Sequence, residues 1–347
     1  MEEKKPDLTP KNVAEKKALM ADGKKPEIAL VVSDIDNTIC DFFSMWGETT
    51  NKAFDALCAL HNISREELEA AVTDEEHVPA EARMHNLAEM IEKTSLLQPK
   101  NEEERKKFDK EHAKIVHEWQ KGRDNQKIYQ GVIATVRKMK EAGAQFVLYT
   151  DGPESAVIPR LAKYGFPPEL IDAIYMQPDL DSNGKRVPLK VQGKAAEWKE
   201  KFEANGGKLT ILEPGSHKPN PETLDKIRKE RGIDDPKSML MVGDNLKADV
   251  GGANALGAFS VWQKDGCDVT QEAIDLYYRI PTNPNYLLGL EKMSSQLPNF
   301  PPDITLDGGW KDMSKYVRFV SAEKANGTEK SKGKLLPALL NKKANGR

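Results

Sequence analysis

Asp34 and Asp36 stand two residues apart where the apolar run Ile28-Ala29-Leu30-Val31-Val32 gives way to polar residues. Carboxylates at i and i+2 of an extended chain share a face, so both can reach one reacting group. One can attack while the other handles a proton. The same pair, followed by Asn37 and Thr38, also suits a turn or a helix N-cap, because Asx and Thr side chains accept backbone N–H bonds. Three more polar clusters lie at comparable places: Thr150/Asp151 after Gln145-Phe146-Val147-Leu148-Tyr149, Lys218 ahead of Pro219-Asn220-Pro221, and Asp244/Asp249 after Ser238 to Val242.

These clusters need elements that bring them together. Short runs of aliphatic and β-branched residues broken by polar ones read as buried strands of a parallel sheet, and in open α/β sheets the ligand crevice lies past the strands' carboxyl ends. Further strands are expected at 171–176, 208–212 and 258–262, with helices at 132–142, 155–164, 194–204 and 219–231. The βαβα order predicts an α/β fold with a doubly wound parallel sheet. If the strands are neighbours, all four clusters converge on one crevice.

The 347-residue chain exceeds the usual single-core size of roughly 100 to 200 residues, so an added unit is expected. Residues 43–127 contain no convincing strand and show helical stripes, Phe54/Leu57/Cys58/His61 and Leu87/Met90/Ile91/Thr94. They form a helical insertion between 27–42 and 128–267, the two parts of the α/β core. Residues 1–26 alternate charges without apolar periodicity and read as a mobile lead-in. In 268–321 Pro, Asn and Gly accumulate in a C-terminal extension of unreadable role. From Ala322 to Arg347, seven Lys/Arg against two Glu read as a disordered basic tail.

A net charge of −3 offers no global attraction for nucleic acid or anionic lipid, so neither partner is expected. Cys40, Cys58 and Cys267 form no CxxC or zinc-spaced cluster, which disfavours a disulfide framework or structural metal and suits a reducing cytoplasmic setting. No 18-residue apolar run occurs and the first 25 residues lack a signal-peptide core. Oligomeric state is not readable.

As a set, Asp34-Ile35-Asp36-Asn37-Thr38, Thr150 after a strand, His217-Lys218-Pro219-Asn220-Pro221 and Gly243-Asp244-Asn245 with Asp249 resemble the four motifs of the haloacid dehalogenase (HAD) superfamily. The resemblance covers about residues 28 to 265. It implies a Rossmann-like core with an inserted helical cap of the C1 type and an aspartate-based hydrolase. Asp34 would attack phosphorus to form an aspartyl-phosphate, and Asp36 would protonate the leaving oxygen and then activate water. By the same resemblance Mg2+ would be held by Asp34, the backbone carbonyl of Asp36 and Asp244. Asp249 would bind it through water or from behind these ligands, unless it is a helix N-cap.

Lys218 would place a point charge against Asp34 and the phosphate, with Thr150 and Asp151 as further phosphate-binding residues. The dehalogenases of this family lack an acidic residue two after the nucleophile, so Asp36 favours phosphoryl transfer. The expected function is a Mg2+-dependent phosphatase acting on a small phosphorylated metabolite or nucleotide. A sugar-phosphate mutase, a C–halogen hydrolase and a non-catalytic HAD-fold binding protein are the alternatives. Arg83, His85 and Asn86 are candidate cap contacts to substrate.

Overall fold

The computed structural model describes residues 6–74, 76–123, 127–180, 184–188, 190–281 and 286–328. Its centre is a parallel sheet of seven strands: β1 (Leu30–Ser33), β2 (Gln145–Pro153), β3 (Ala173–Gln177), β4 (Lys208–Ile211), β5 (Met239–Gly243), β6 (Phe259–Trp262) and β7 (Ile304–Thr305), in the order β4-β3-β2-β1-β5-β6-β7. The α/β, doubly wound expectation holds. Alternation along the strands sends Val31, Phe146, Leu148, Leu240 and Val242 into one apolar layer and Leu30, Val32, Val147, Tyr149 and Met241 into the other. Side chains on both faces are apolar because helices cover both faces, which is why the strands read as continuous hydrophobic runs.

The chain leaves β1, builds β2, β3 and β4 outward on one side, then returns to lay β5 on the other side of β1. That reversal opens a crevice at the carboxyl ends of β1 and β5, where Asp34 and Asp244 follow the last strand residues.

Between β1 and β2 the described residues are largely helical. Long helices α1 (Phe43–His61) and α2 (Glu102–Arg123) pack together with the short helices Arg65–Val72, Ala80–His85 and Leu87–Lys93. They share an apolar core of their own that includes Trp46, Phe54, Leu57, Leu68, Met90 and Trp119. α3 (Glu154–Lys163) follows β2. Of the charged run 101–110, little is buried, as a solvated helix face requires.

The two ends differ from the expectation. The N-terminal stretch carries helix Val13–Met20, and its Lys16 is buried, with Nζ donating to Asn254 Oδ1 (3.0 Å), the Ala258 carbonyl (2.9 Å) and Asp303 Oδ2 (2.6 Å). A single buried cation with three partners leaves no apolar period in sequence, so the stretch reads as loose. The extension after 267 holds helix α4 (Gln271–Arg279), whose Ala273, Leu276 and Tyr277 complete the core of the helical insertion. It also supplies β7 and a strand pair, Arg318–Phe319 parallel to Glu27–Ile28. Residues 322–325, expected in a disordered tail, form a short helix capped by Ser321, and 329–347 lie outside the described residues. All three cysteines are free thiols.

Candidate active site

The loop after β1 is shaped by its own side chains. Asn37 adopts a left-handed backbone (φ 56°), and its Oδ1 accepts from the Phe42 and Phe43 N–H groups at 3.0 and 3.2 Å, starting α1. Thr38 Oγ1 donates to Asp34 Oδ2 (3.2 Å) and accepts from the Asp244 N–H (3.1 Å), tying the two strand ends together. Trp310 Nε1 donates to the Thr38 carbonyl at 2.8 Å and Trp262 Nε1 to the Asp244 carbonyl at 2.9 Å. The Asx-turn and catalytic readings therefore separate by residue: Asn37 does the capping, and Asp34 and Asp36 remain free of it.

Asp34, Asp244 and Asp249 are all buried, and one oxygen of each lies within 4.8 Å of the others. Lys218 Nζ bridges two of them, donating to Asp34 Oδ1 and to Asp249 Oδ1, the latter at 2.8 Å. Asp249 Oδ2 accepts from the Asn245 N–H (3.1 Å), while Asn245 itself caps the following helix. The N-cap alternative for Asp249 thus falls to Asn245. Gly243 makes this approach possible, since a Cβ there would meet Asp249 Oδ2 at 2.0 Å.

The electrostatics follow from crowding three carboxylates around one ammonium. Burial pushes Asp34 up to about 7 against the pull of Lys218, with Asp249 and Asp36 adding to the rise. Asp244 is driven well up by burial and then by Asp34 and Asp249, and Asp249 is raised by burial against Lys218. Burial disfavours the charge of Lys218, yet Asp249 and Asp34 outweigh it and hold the ammonium firmly protonated. Hard oxygen donors with excess negative charge are what a Mg2+-sized dication requires, so the residues fit such an ion.

The other expected residues divide. Asp36 lies outside the carboxylate cluster and accepts a two-pronged bond from Arg160 of α3, Nη1 to Oδ1 at 2.6 Å and Nη2 to Oδ2 at 3.2 Å. Thr150 is buried and its Oγ1 accepts from the Gly152 N–H (3.1 Å). The Asp151 carboxylate accepts from the Lys218 N–H (3.1 Å), which ties it to the loop that carries Lys218. Asn86 caps helix Leu87–Lys93 by accepting from the Glu89 N–H (3.2 Å). His85 lies with its ring 5.7 Å from Phe42, and Arg83 is buried.

Sequence reasoning misses three neighbours. Arg160 sits on a helix with no motif spacing. Tyr286, from the Pro/Asn-rich extension, donates its hydroxyl to Asp244 Oδ2 at 3.0 Å and stacks on Phe43 with ring centroids 5.6 Å apart. Arg123 closes α2 beside Phe42.

Residues 28–257 match the family of haloacid dehalogenase-like hydrolases, which is most of the chain. The protein belongs to that family and is an enzyme, a hydrolase of the HAD type. Among curated proteins it is similar to the mitochondrial phosphatidylglycerophosphatase GEP4 of Saccharomyces cerevisiae, 34% identical over 64 residues, or 18% of this chain and 33% of that protein. The chain thus matches only a third of that relative's length. Similar solved structures include a HAD phosphatase from Thermococcus onnurineus (TM-score 0.44, 16% identity, 84% of this chain and 99% of that one). A predicted phosphoglycolate phosphatase from Haemophilus somnus is another (TM-score 0.42, 16% identity, 83% and 97%). No helix among the described residues is long and apolar enough to cross a membrane.

Proposed function

We propose that the protein is a Mg2+-dependent phosphatase that cleaves a small phosphorylated metabolite or nucleotide by way of an aspartyl-phosphate on Asp34. The observation that carries this reading is the buried Lys218 bridging Asp34 and Asp249, with Asp244 alongside and Asp36 two residues from the nucleophile. A scaffold has no need for so costly a cluster of like charges. Asp34, Asp244 and the backbone carbonyl of Asp36 would hold Mg2+, with Asp249 behind them. The ion, when bound, supplies neutralisation of the phosphate's charge.

The chain's own groups do the rest. The Asp34 carboxylate attacks phosphorus in line while the bond to the leaving oxygen breaks, and Asp36 delivers the proton that the alcohol needs. Asp36 then takes a proton from water as that water attacks the acyl phosphate, releasing inorganic phosphate and restoring Asp34. Lys218 holds Asp34 and a phosphate oxygen by charge, and Thr150 hydroxyl adds a hydrogen bond. A C–halogen hydrolase has no use for a proton donor at position 36, so the reading favours phosphate esters.

The helical insertion 43–127 acts as a lid that admits small substrates and keeps bulk water from the acyl phosphate. Three free thiols suit a reducing compartment such as the cytoplasm. Hydrolysis of an aryl phosphate, with and without Mg2+, tests the reaction. Wild type should release phosphate only with the ion, and Asp34→Asn should lose at least about 10^3-fold, as removal of a covalent nucleophile does. No phosphate from the aryl ester or from a metabolite panel sinks the proposal, and a sugar phosphate isomerised without free phosphate would reveal a mutase.

A further inference from the structure

We propose that Arg123 and Arg160 form a receptor for a second anionic group, so that the substrate is a phosphomonoester whose leaving group carries a carboxylate or another phosphate. This rests on the phosphatase reading and names its substrate class. The two guanidiniums come from different units, Arg123 from the end of α2 and Arg160 from α3 of the core, and both lie against the ring of Phe42, at 5.8 and 5.6 Å from its centroid. Arg160 is matched by Asp36. Arg123 has no carboxylate within ion-pair distance among the described residues; its Nη1 donates to the His85 carbonyl (3.3 Å) and its guanidinium lies 4.5 Å from the Trp119 ring centroid.

Among the described residues two guanidiniums therefore face one carboxylate, with Lys163 near enough to feel Arg123 as well, so positive charge is in excess at this spot. Burial and then Arg160 hold Arg123 down to about 10, and His85 adds no charge, being held down to about 3 chiefly by burial. An arriving anion relieves this excess, and a planar guanidinium fork matches a carboxylate or phosphate edge with two parallel bonds. Position gives the receptor its meaning. Arg160 grips Asp36, the group that serves the leaving oxygen, whereas Lys218 and Thr150 stand on the phosphate side, so a second anion here belongs to the leaving group. The insertion supplies Arg123 only when it lies against the core, so the anion also binds the lid shut.

Stacking of Arg123 on Phe42 and Trp119 would also serve packing alone, and the two roles differ in what charge discrimination they produce. Three probes with similar leaving groups separate them: ethylene glycol monophosphate, phosphoglycolate and ethylene glycol bisphosphate. In Asp34→Asn protein with Mg2+, the charged probes should bind about tenfold or more tighter than the neutral one, the size of one charge-assisted hydrogen bond. Their binding should change tryptophan emission through Trp119, a signal lost in Trp119→Phe. Arg123→Met should bring the affinity ratio to about one, Arg123→Lys should restore part of it, and in the active enzyme the same ratio should appear in KM rather than kcat.

Equal binding of all three probes, or an equal loss for all three in Arg123→Met, overturns the receptor. Which charged probe binds tighter distinguishes carboxylate from phosphate. Charge-selective binding through Arg123 in a protein that hydrolyses no phosphate ester, the aryl ester included, would refute the phosphatase while leaving the receptor standing.

Discussion

At the scale of single residues, the site is a set of charges held in opposition to stability. Asp34, Asp244 and Asp249 are buried and repel one another, with Lys218 as the cation set against them and hydrogen bonds from Tyr286 to Asp244 and from the Asn245 N–H to Asp249 easing the rest. Asp244→Asn should therefore raise the melting temperature of metal-free protein while abolishing the rise that Mg2+ produces in wild type, measured by thermal unfolding with EDTA and with Mg2+. A variant less stable than wild type without metal would contradict this. His85 gives the pH dependence. Its folded-state value, about 3, lies below the ordinary value near 6.5, so the unfolded chain takes up a proton that the folded one refuses. The His85 contribution is fully present above about pH 6.5 and is lost toward pH 3 by up to about 1.4 kcal/mol per unit, while the raised Asp34 acts in the opposite sense. In His85→Gln that part of the slope should vanish from denaturant titrations between pH 4 and 6.5.

At the scale of elements, the C-terminal extension proves to be part of the machinery. α4 lies so close to α1 that a Cβ on Gly47 would come within 2.3 Å of the Ala273 Cβ. Gly47→Val should drive the helices apart at a cost of about 1–3 kcal/mol, read as a lower urea midpoint. Because α4 leads toward Tyr286 and its bond to Asp244, the same variant should need more Mg2+ for half-maximal stabilisation. None of this is visible in a segment whose sequence offers Pro, Asn and Gly without period. The histidines make the same point: His61 and His112, on different helices, bring their Nε2 atoms to 2.7 Å, a pairing no spacing announces.

At the scale of the whole molecule, the ends are stapled to the core. Lys16 reaches Asp303 across most of the chain's length, and Asp303 also accepts from the Ser260 N–H of β6 (2.9 Å). Asp303→Ala leaves a buried ammonium without its counter-charge and should cost about 3–5 kcal/mol in denaturant unfolding. Lys16→Met removes the charge itself and should cost clearly less. If the two variants are equally mild, the staple contributes little.

The amino-acid sequence by itself determined the sheet, because strands buried on both faces must be continuous apolar runs, and the order of those runs implies parallel pairing. It also singled out Asp34, Asp36, Lys218 and Asp244, which follow a strand or precede a helix at the edge where a parallel sheet opens, and Asp249 in the helical turn Leu246–Gly251 that comes after β5. β7 escapes notice because a two-residue strand has no period. Only the tertiary structure decided what Asp36, Asp151, Arg123, Arg160 and Tyr286 touch. Their partners lie far away in the chain, and long polar side chains are placed by packing and charge rather than by local pattern.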